Sequence, residues 1–515
     1  MLPAATGRRR VAAVALALGL AAIALAWLSL NASLLQSSDR EEYLSIAFNL
    51  ARHGVFHDSA RLSQVRAEGD LQPYSRRPPG YPLFLAAVFA SSPELRSLDQ
   101  ACVIDPTCEA AAPLRGRVRQ LTALAIGAMV VLAFFATSLL TGSIRVSILA
   151  GLLCLMLVPT MAFDIPTAVA GLLVLVHASL AALTWRRPRI ATGVASGLAL
   201  GALVLVKEVF QYWLAGTAMV LAVGLWLDPG RRRALMPACA ALVVAAWGLT
   251  LPWMIRNAVE AGHFGISGRA GENLAIRAEY GRMTWPEVGG AFAYYLPDFP
   301  GVGRVRELVM RRLEPDVFGY ARFDRENPEG FYLRAKQHTG EAAARADLID
   351  PDWRKSQAAR DTTLMQASID LMRADWLKHA VLTLVFAERA GLSMGGACRP
   401  AAASASERYG AALGPPVLAT CALGTASTLL FLPLAGALVV FAWRRRDVSL
   451  GLLLSPVVYG FAIHALATHF IERYARPLLP LLAVVAALAA REIWRRRGNM
   501  TRWLGNTWQR LAGAG

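Results

Sequence analysis

Apolar residues along this chain gather into blocks of about twenty, parted by short polar gaps, and that spacing sets the architecture. The runs fall at about 11–30, 119–140, 146–163, 165–184, 190–206, 209–227, 234–254, 418–442, 448–469 and 477–493. A helix rises ~1.5 Å per residue, so roughly 20 apolar residues cross a hydrocarbon core of ~30 Å. The pattern predicts an all-α polytopic membrane protein with about ten transmembrane helices. The first run follows Arg8, Arg9 and Arg10 and is longer than the apolar part of a cleaved signal, so it reads as an uncleaved signal anchor.

Two long polar stretches interrupt the series, at about 31–118 and 255–417. They divide the chain into a membrane domain over 1–254, which includes the first loop, a loop region over 255–417, and a membrane domain with a tail over 418–515. Within the first loop, Tyr43, Ile46, Ala47, Leu50 and Ala51 recur at helical spacing, with Ser45, Asn49 and Arg52 opposite. Ser38 and Glu41 have the spacing of a capping box, and Gly54 suits the far end. This segment is expected to lie along the bilayer surface. The ten or so apolar residues after Pro78-Pro79 are too few to span and read as a second interfacial or re-entrant helix, and the segment 375–391 as another surface helix.

Charge adds direction. Clusters at Arg8–Arg10, Arg145, Arg186/Arg187/Arg189, Arg231–Arg233, Arg444–Arg446 and Arg491/Arg495–Arg497 occupy every second gap. Threaded alternately, all of them fall on one side together with both termini, and the positive-inside rule makes that side the cytoplasm. The expected home is a bacterial inner membrane, with the two long loops periplasmic. The net charge of +17 is thus topological, and nucleic acid is not an expected partner. Mean hydropathy of +0.41 and 55% hydrophobic residues exclude an ordinary soluble enzyme of this length. No repeat is visible, and no pair of matching halves of the kind a transporter often carries.

Of the six cysteines, Cys102 and Cys108 frame "CVIDPTC" in the first loop, where an oxidising compartment permits a bridge. Cys154, Cys239 and Cys421 fall in or beside apolar spans and are expected to pack, which leaves Cys398 as the odd one.

Candidate chemistry collects in the loops. Asp39, Glu41 and Glu42 sit where the first span ends: either they serve a helix start, with Asp39 on the dipole, Glu41 as cap and Glu42 solvated, or one does chemistry at the membrane surface. Arg76 and Arg77 precede the rigid Pro78-Pro79 and suit either a phosphate clamp or an anchor for anionic lipid. Lys207 and Glu208 end a span, as an ion pair or with Lys207 as a phosphate ligand. His464 and His469, with Glu472 beyond, offer a conceivable metal set or ordinary helix packing.

The stretch "SSDREEYLSIAFNLARHGVF…RRPPGYPLFLA" resembles the first outer loop of C-superfamily glycosyltransferases, in the branch of protein O-mannosyltransferases and the aminoarabinose transferase of lipid A. Asp39, Tyr43, Ala47, Asn49, Leu50, Gly54 and Arg77-Pro78-Pro79 carry the likeness. "LPWMIRNAVEAGHFGISG" (251–268) and "ERYARPLLPLL" (472–482) resemble two later motifs of the family. The chain departs from it at Arg40, at Arg76-Arg77 and in the Cys102–Cys108 insert, departures that bear on donor and acceptor identity.

The resemblance implies transfer of a sugar from a polyprenyl-phosphate carrier to an acceptor hydroxyl (lipid, glycan or protein) on the outer face. The leaving group is already a phosphate and wants cations, while the acceptor hydroxyl wants one base. Asp39 is then the general base, and Asp164 resembles a second acidic position that places the acceptor or holds a metal, or else is an ordinary solvated loop residue. Arg76, Arg77, Tyr43, Lys207 and Arg256, with Arg473 or Arg476, would bind the donor. The sequence requires no cofactor, and a metal is left unassigned. A transporter or flippase for a lipid-linked or anionic substrate is the alternative.

Overall fold

A computed structural model describes residues 5–30, 40–58, 75–93, 97–162, 165–295, 353–392, 398–468 and 472–512, with a few positions between 304 and 337. Asp39, Asp164, His469 and the proposed cap Ser38 lie outside the described residues. Among the described residues there is no strand, and the helices run in this order. The first span is α1 (Ala5–Ser29), and the first loop region holds α2 (Arg40–His53), α3 (Gly80–Ala90) and α4 (Gln100–Ile104). The bundle continues with α5 (Ala112–Thr141), α6 (Ile144–Met156), α7 (Ile165–Arg186), α8 (Ile190–Val206), α9 (Gln211–Leu227) and α10 (Arg232–Ala261). The second loop region has α11 (Ala270–Tyr280), α12 (Trp285–Tyr294), α13 (Trp353–Ala374), α14 (Trp376–Leu392) and α15 (Cys398–Tyr409). Three long helices close the chain: α16 (Gly414–Arg445), α17 (Val448–Ala467) and α18 (Leu479–Ala512).

The chain is an all-helical polytopic membrane protein in which eight described helices are long and apolar enough to cross a bilayer. Over their described residues all ten apolar runs of the sequence are mainly helical, but two of the helices fall short: α6 has 13 residues and α8 has 17. The run at 146–163 breaks after Met156 because Pro159 follows, which has no N–H for the carbonyl one turn back. A separate turn, Val158–Met161, follows the break.

Apolarity on all sides marks the centre. Ala475 to Ala489 is an unbroken buried stretch, and α18 is packed by α5, α6, α7, α16 and α17. A second seam depends on small residues. A Cβ on Gly193 would stand 2.1 Å from the Ala238 carbonyl oxygen, and one on Gly197 2.2 Å from that of Leu242. The stripe Gly193, Gly197, Gly201 thus lets α8 press directly on the backbone of α10, as small residues do between membrane helices.

The arginine clusters converge on one end of this bundle. Arg186 donates to the Leu140 carbonyl at 2.7 Å and to Ser449, Arg231 to the Trp185 carbonyl at 2.7 Å, and Arg491 to the Thr141 carbonyl at 3.1 Å. Arg445 pairs with Glu492 at the same end.

The first-loop helix α2 does not present the expected polar face to water. Ser45 and Asn49 are buried: Ser45 accepts from Gln100 Nε2 at 2.7 Å, and Asn49 donates to the His57 carbonyl at 3.0 Å. Arg52 donates to the Leu98 carbonyl at 3.0 Å. The later part of the loop folds over the face that periodicity assigned to solvent. Cys102 and Cys108 are disulfide-bonded within that cover. Cys398 is also bridged, to Cys421, so Cys421 does more than pack and the hairpin of α15 and α16 is stapled. Cys154 and Cys239 are buried free thiols.

Candidate functional site

The arginine-rich turns lie at one end of α8 and α17, and the other ends of these helices open a cleft of about 180 Å³. Three turns build it. Lys207 leaves α8 in an extended conformation, and a 3-10 turn over Glu208–Phe210 leads into α9. Tyr459 fixes that turn by donating its hydroxyl to the Val209 carbonyl, with the Trp213 ring 5.0 Å away.

The second turn follows α10. Gly262, at φ 73°, ends the helix in the left-handed conformation that glycine adopts without strain. Asn257 then donates to the carbonyls of Gly265 (2.8 Å) and Ile266 (3.1 Å), and Trp253 Nε1 donates to Ile266 at 3.2 Å. Ile266 N–H donates in turn to Gln211 at 3.2 Å, tying this turn to the first. The "PWMIRN" residues therefore hold Ser267, Arg269 and Asn273 at the cleft. Arg256 itself does not line it. Its guanidinium lies 4.8 Å from the Trp253 ring and 5.8 Å from Phe56 and donates to Asn257 at 2.9 Å, beside the cleft.

The third turn follows α17, where Thr468 donates to the His464 carbonyl at 2.7 Å. The His464 ring stacks on Tyr474, centroids 4.4 Å apart and planes 6° off parallel, and both line the cleft beside Arg473. Arg476 is buried in the next turn and does not line it.

From the first loop come Tyr43 and Arg77. Their position follows from Gly80: a Cβ there would stand 2.7 Å from the backbone carbon of Leu205, so the start of α3 rests directly on the last turn of α8. Arg77 is thereby brought to the cleft that Lys207 lines. The guanidinium lies 5.3 Å from the Tyr43 ring and is paired with Glu42, which is buried, not solvated as the sequence suggested. Arg76, expected to join Arg77 as a clamp, turns instead to the second loop region. It donates to both Glu272 oxygens at 3.0 and 2.8 Å and does not line the cleft. Arg269 holds the same carboxylate from the other side at 3.1 Å. Burial penalises the Glu272 carboxylate, but Arg269 and Arg76 outweigh it and hold its pKa below the ordinary carboxylate range.

Four cations, Arg77, Lys207, Arg269 and Arg473, thus face one small cleft that also carries Glu208. Such a wall binds an anion, and guanidinium forks suit phosphate oxygens. Tyr43, Arg77, Lys207 and Arg473 were candidates from sequence; Arg269, Asn273, Glu42 and Glu272 were missed in these roles. Arg269 directly follows the "GHFGISG" motif, and that adjacency was the available signal. Among the described residues no group of three His, Cys, Asp or Glu side chains is placed to hold a metal.

No family model matches the chain, and no curated protein does. Among solved structures, ArnT from Cupriavidus metallidurans bound to undecaprenyl phosphate matches 90% of this chain and 78% of its own, with 17% identity and a TM-score of 0.35. That likeness is too distant to carry a fold or an activity across.

Proposed function

We propose that this protein is a membrane glycosyltransferase that moves a sugar from a polyprenyl-phosphate carrier to an acceptor hydroxyl. The observation that carries the reading is the cleft itself: Arg77, Lys207, Arg269 and Arg473 converge where α8 and α17 end. Three motifs resembling the glycosyltransferases supply two of its turns, at 251–268 and 472–482, and the segment that brings Tyr43 and Arg77 to it.

In this mechanism the cations bind the carrier phosphate and take up charge as the bond from the sugar's anomeric carbon to phosphate oxygen breaks. The acceptor oxygen forms the new bond to that carbon, and its proton passes to the Asp39 carboxylate. No general acid is needed, because the departing carrier is stable as the phosphate anion. Asp164 serves as the second acidic group, on the acceptor side. The cleft faces the periplasm and the arginine end the cytoplasm, following the positive-inside rule. The ranges 1–254, 255–417 and 418–515 act as membrane domain, acceptor-side cover and closing membrane domain.

Purified protein in detergent, heated with a panel of polyprenyl-phosphate sugars, tests the reading. Thermal stabilisation by one donor, lost in Lys207→Ala, supports it. No stabilisation by any member, with the lipid transported across vesicles instead, would favour a flippase.

A further inference from the structure

The dipeptide Arg76-Arg77 sends its two guanidinium groups to two different carboxylates. Arg77 meets Glu42 of α2 through Nε and Nη2, while Arg76 grips Glu272 of α11. Glu42 is buried and Glu272 largely so, at 7% and 13% side-chain exposure, and neither lines the cleft. What does line it is the arginine in front of each: Arg77 before Glu42, Arg269 before Glu272. The next residue back, Ser75, accepts from Gly268 N–H at 3.2 Å, so the two loop regions are joined at this point by backbone as well as by charge. Nothing in the transfer chemistry requires Glu42 or Glu272, and a buried carboxylate is costly unless paired, so each is held where it is by its arginines.

We infer that Glu42 and Glu272 are positioning residues that aim Arg77 and Arg269 at the bound phosphate, with Arg76 as the brace that locks the two loop regions at the correct spacing. This rests on the lipid-phosphate reading above and deepens it. A long arginine side chain samples many rotamers, and a fixed carboxylate behind it selects one. The arrangement also leaves Arg76 out of the substrate's reach.

A double-mutant cycle on the full-length protein in detergent tests this, with undecaprenyl phosphate as the probe in isothermal titration. Arg77→Ala and Glu42→Gln should each raise its Kd about tenfold or more, and the double variant should bind no more weakly than Arg77→Ala alone. Effects that add, or a Glu42→Gln variant that binds as tightly as wild type, overturn the inference. Should Glu42→Gln fail to fold, Glu42→Asp, which keeps the charge but shortens its reach, should weaken binding in the same direction. The exchanged pair Glu42→Arg/Arg77→Glu restores the ion pair but turns a carboxylate into the cleft. It should unfold near the wild-type temperature and bind no lipid phosphate, whereas retained binding would make the pair merely structural. Inorganic phosphate in place of the lipid separates the two readings. If wild type binds phosphate but not the lipid, the carrier assignment fails and the same cycle, read with phosphate, still judges Glu42. If it binds neither, both fall.

Discussion

Replacing Asp39 with Asn keeps size and a hydrogen-bond acceptor but removes the group that would take a proton. Transfer should drop by roughly 10²- to 10⁴-fold with donor binding retained. Glu41→Gln should keep most activity, since Gln serves equally in a capping box and Glu41 is exposed. Turnover measured with saturating donor decides between them: a normal rate in Asp39→Asn would mean the wrong carboxylate was chosen. Arg77→Lys should recover only part of what Arg77→Ala loses, because a point charge cannot reproduce a two-pronged contact. At this scale the sequence singled out Tyr43, Arg77, Lys207 and Arg473, which line the cleft, since each belongs to a short motif or ends a span. It did not reveal that Glu42 is buried, because its partner lies 35 residues away and helical periodicity sees only one helix at a time. Nor did it reveal that Arg256 packs beside the cleft instead of lining it. Its "RN" motif holds a turn by packing on Trp253 and Phe56, and motif spacing alone does not separate holding from binding.

Between elements, the seam of α8 on α10 has the least room to give. Gly197→Val would place side-chain carbons about where the Leu242 carbonyl oxygen now lies and should destabilise by about 1–3 kcal/mol or more, read as a fall in unfolding temperature in detergent. Substitution at Gly248, which has nothing near, should be far milder. The Cys398–Cys421 bridge belongs here too: it ties α15 to α16, and Arg408 of α15 donates to the Leu30 carbonyl at 2.6 Å, where α1 ends. Cys398→Ala should therefore lower stability by about 2–4 kcal/mol. The pairing of α11 with the first loop region has a pH signature. Because Glu272 titrates below the ordinary carboxylate range in the folded protein, its stabilisation is full above the unfolded value, fades as pH falls below that value and is gone once pH has fallen through the folded one. Glu272→Gln should thus unfold earlier than wild type at pH 7, with the gap narrowing as pH drops below about 4.3. A gap that grows on acidification would reverse the sign and refute the pairing. Helix positions were legible because about twenty apolar residues leave little choice. The break before Pro159 and the glycine stripe were also written in the sequence, but the first was absorbed into one long apolar run and the second takes meaning only from its partner helix.

For the whole molecule, the arginine contacts gather one end of the bundle and the cleft occupies the other, so orientation in the membrane decides where the chemistry happens. Reporter fusions after Arg189, Arg233 and Arg446 should report the cytoplasm, and fusions near Gly69 and Asn327 the outer compartment. A cytoplasmic Gly69 would remove the periplasmic mechanism, because Asp39 shares its loop. The alternation of arginine clusters made the gathering of arginines at one end readable; the joining of the two loop regions was not, since it depends on contacts such as Arg76 with Glu272 across 196 residues. The central claim is that the four-cation cleft holds a lipid phosphate, and photo-crosslinking tests it most directly. A polyprenyl phosphate carrying a benzophenone beside its headgroup, irradiated with the purified protein and mapped by peptide sequencing, should mark the segments around Lys207–Tyr212, Ser267–Leu274 and Ile463–Tyr474 and lose those adducts in Arg77→Ala. Adducts confined to the arginine-rich end, or unchanged by that substitution, would contradict the account.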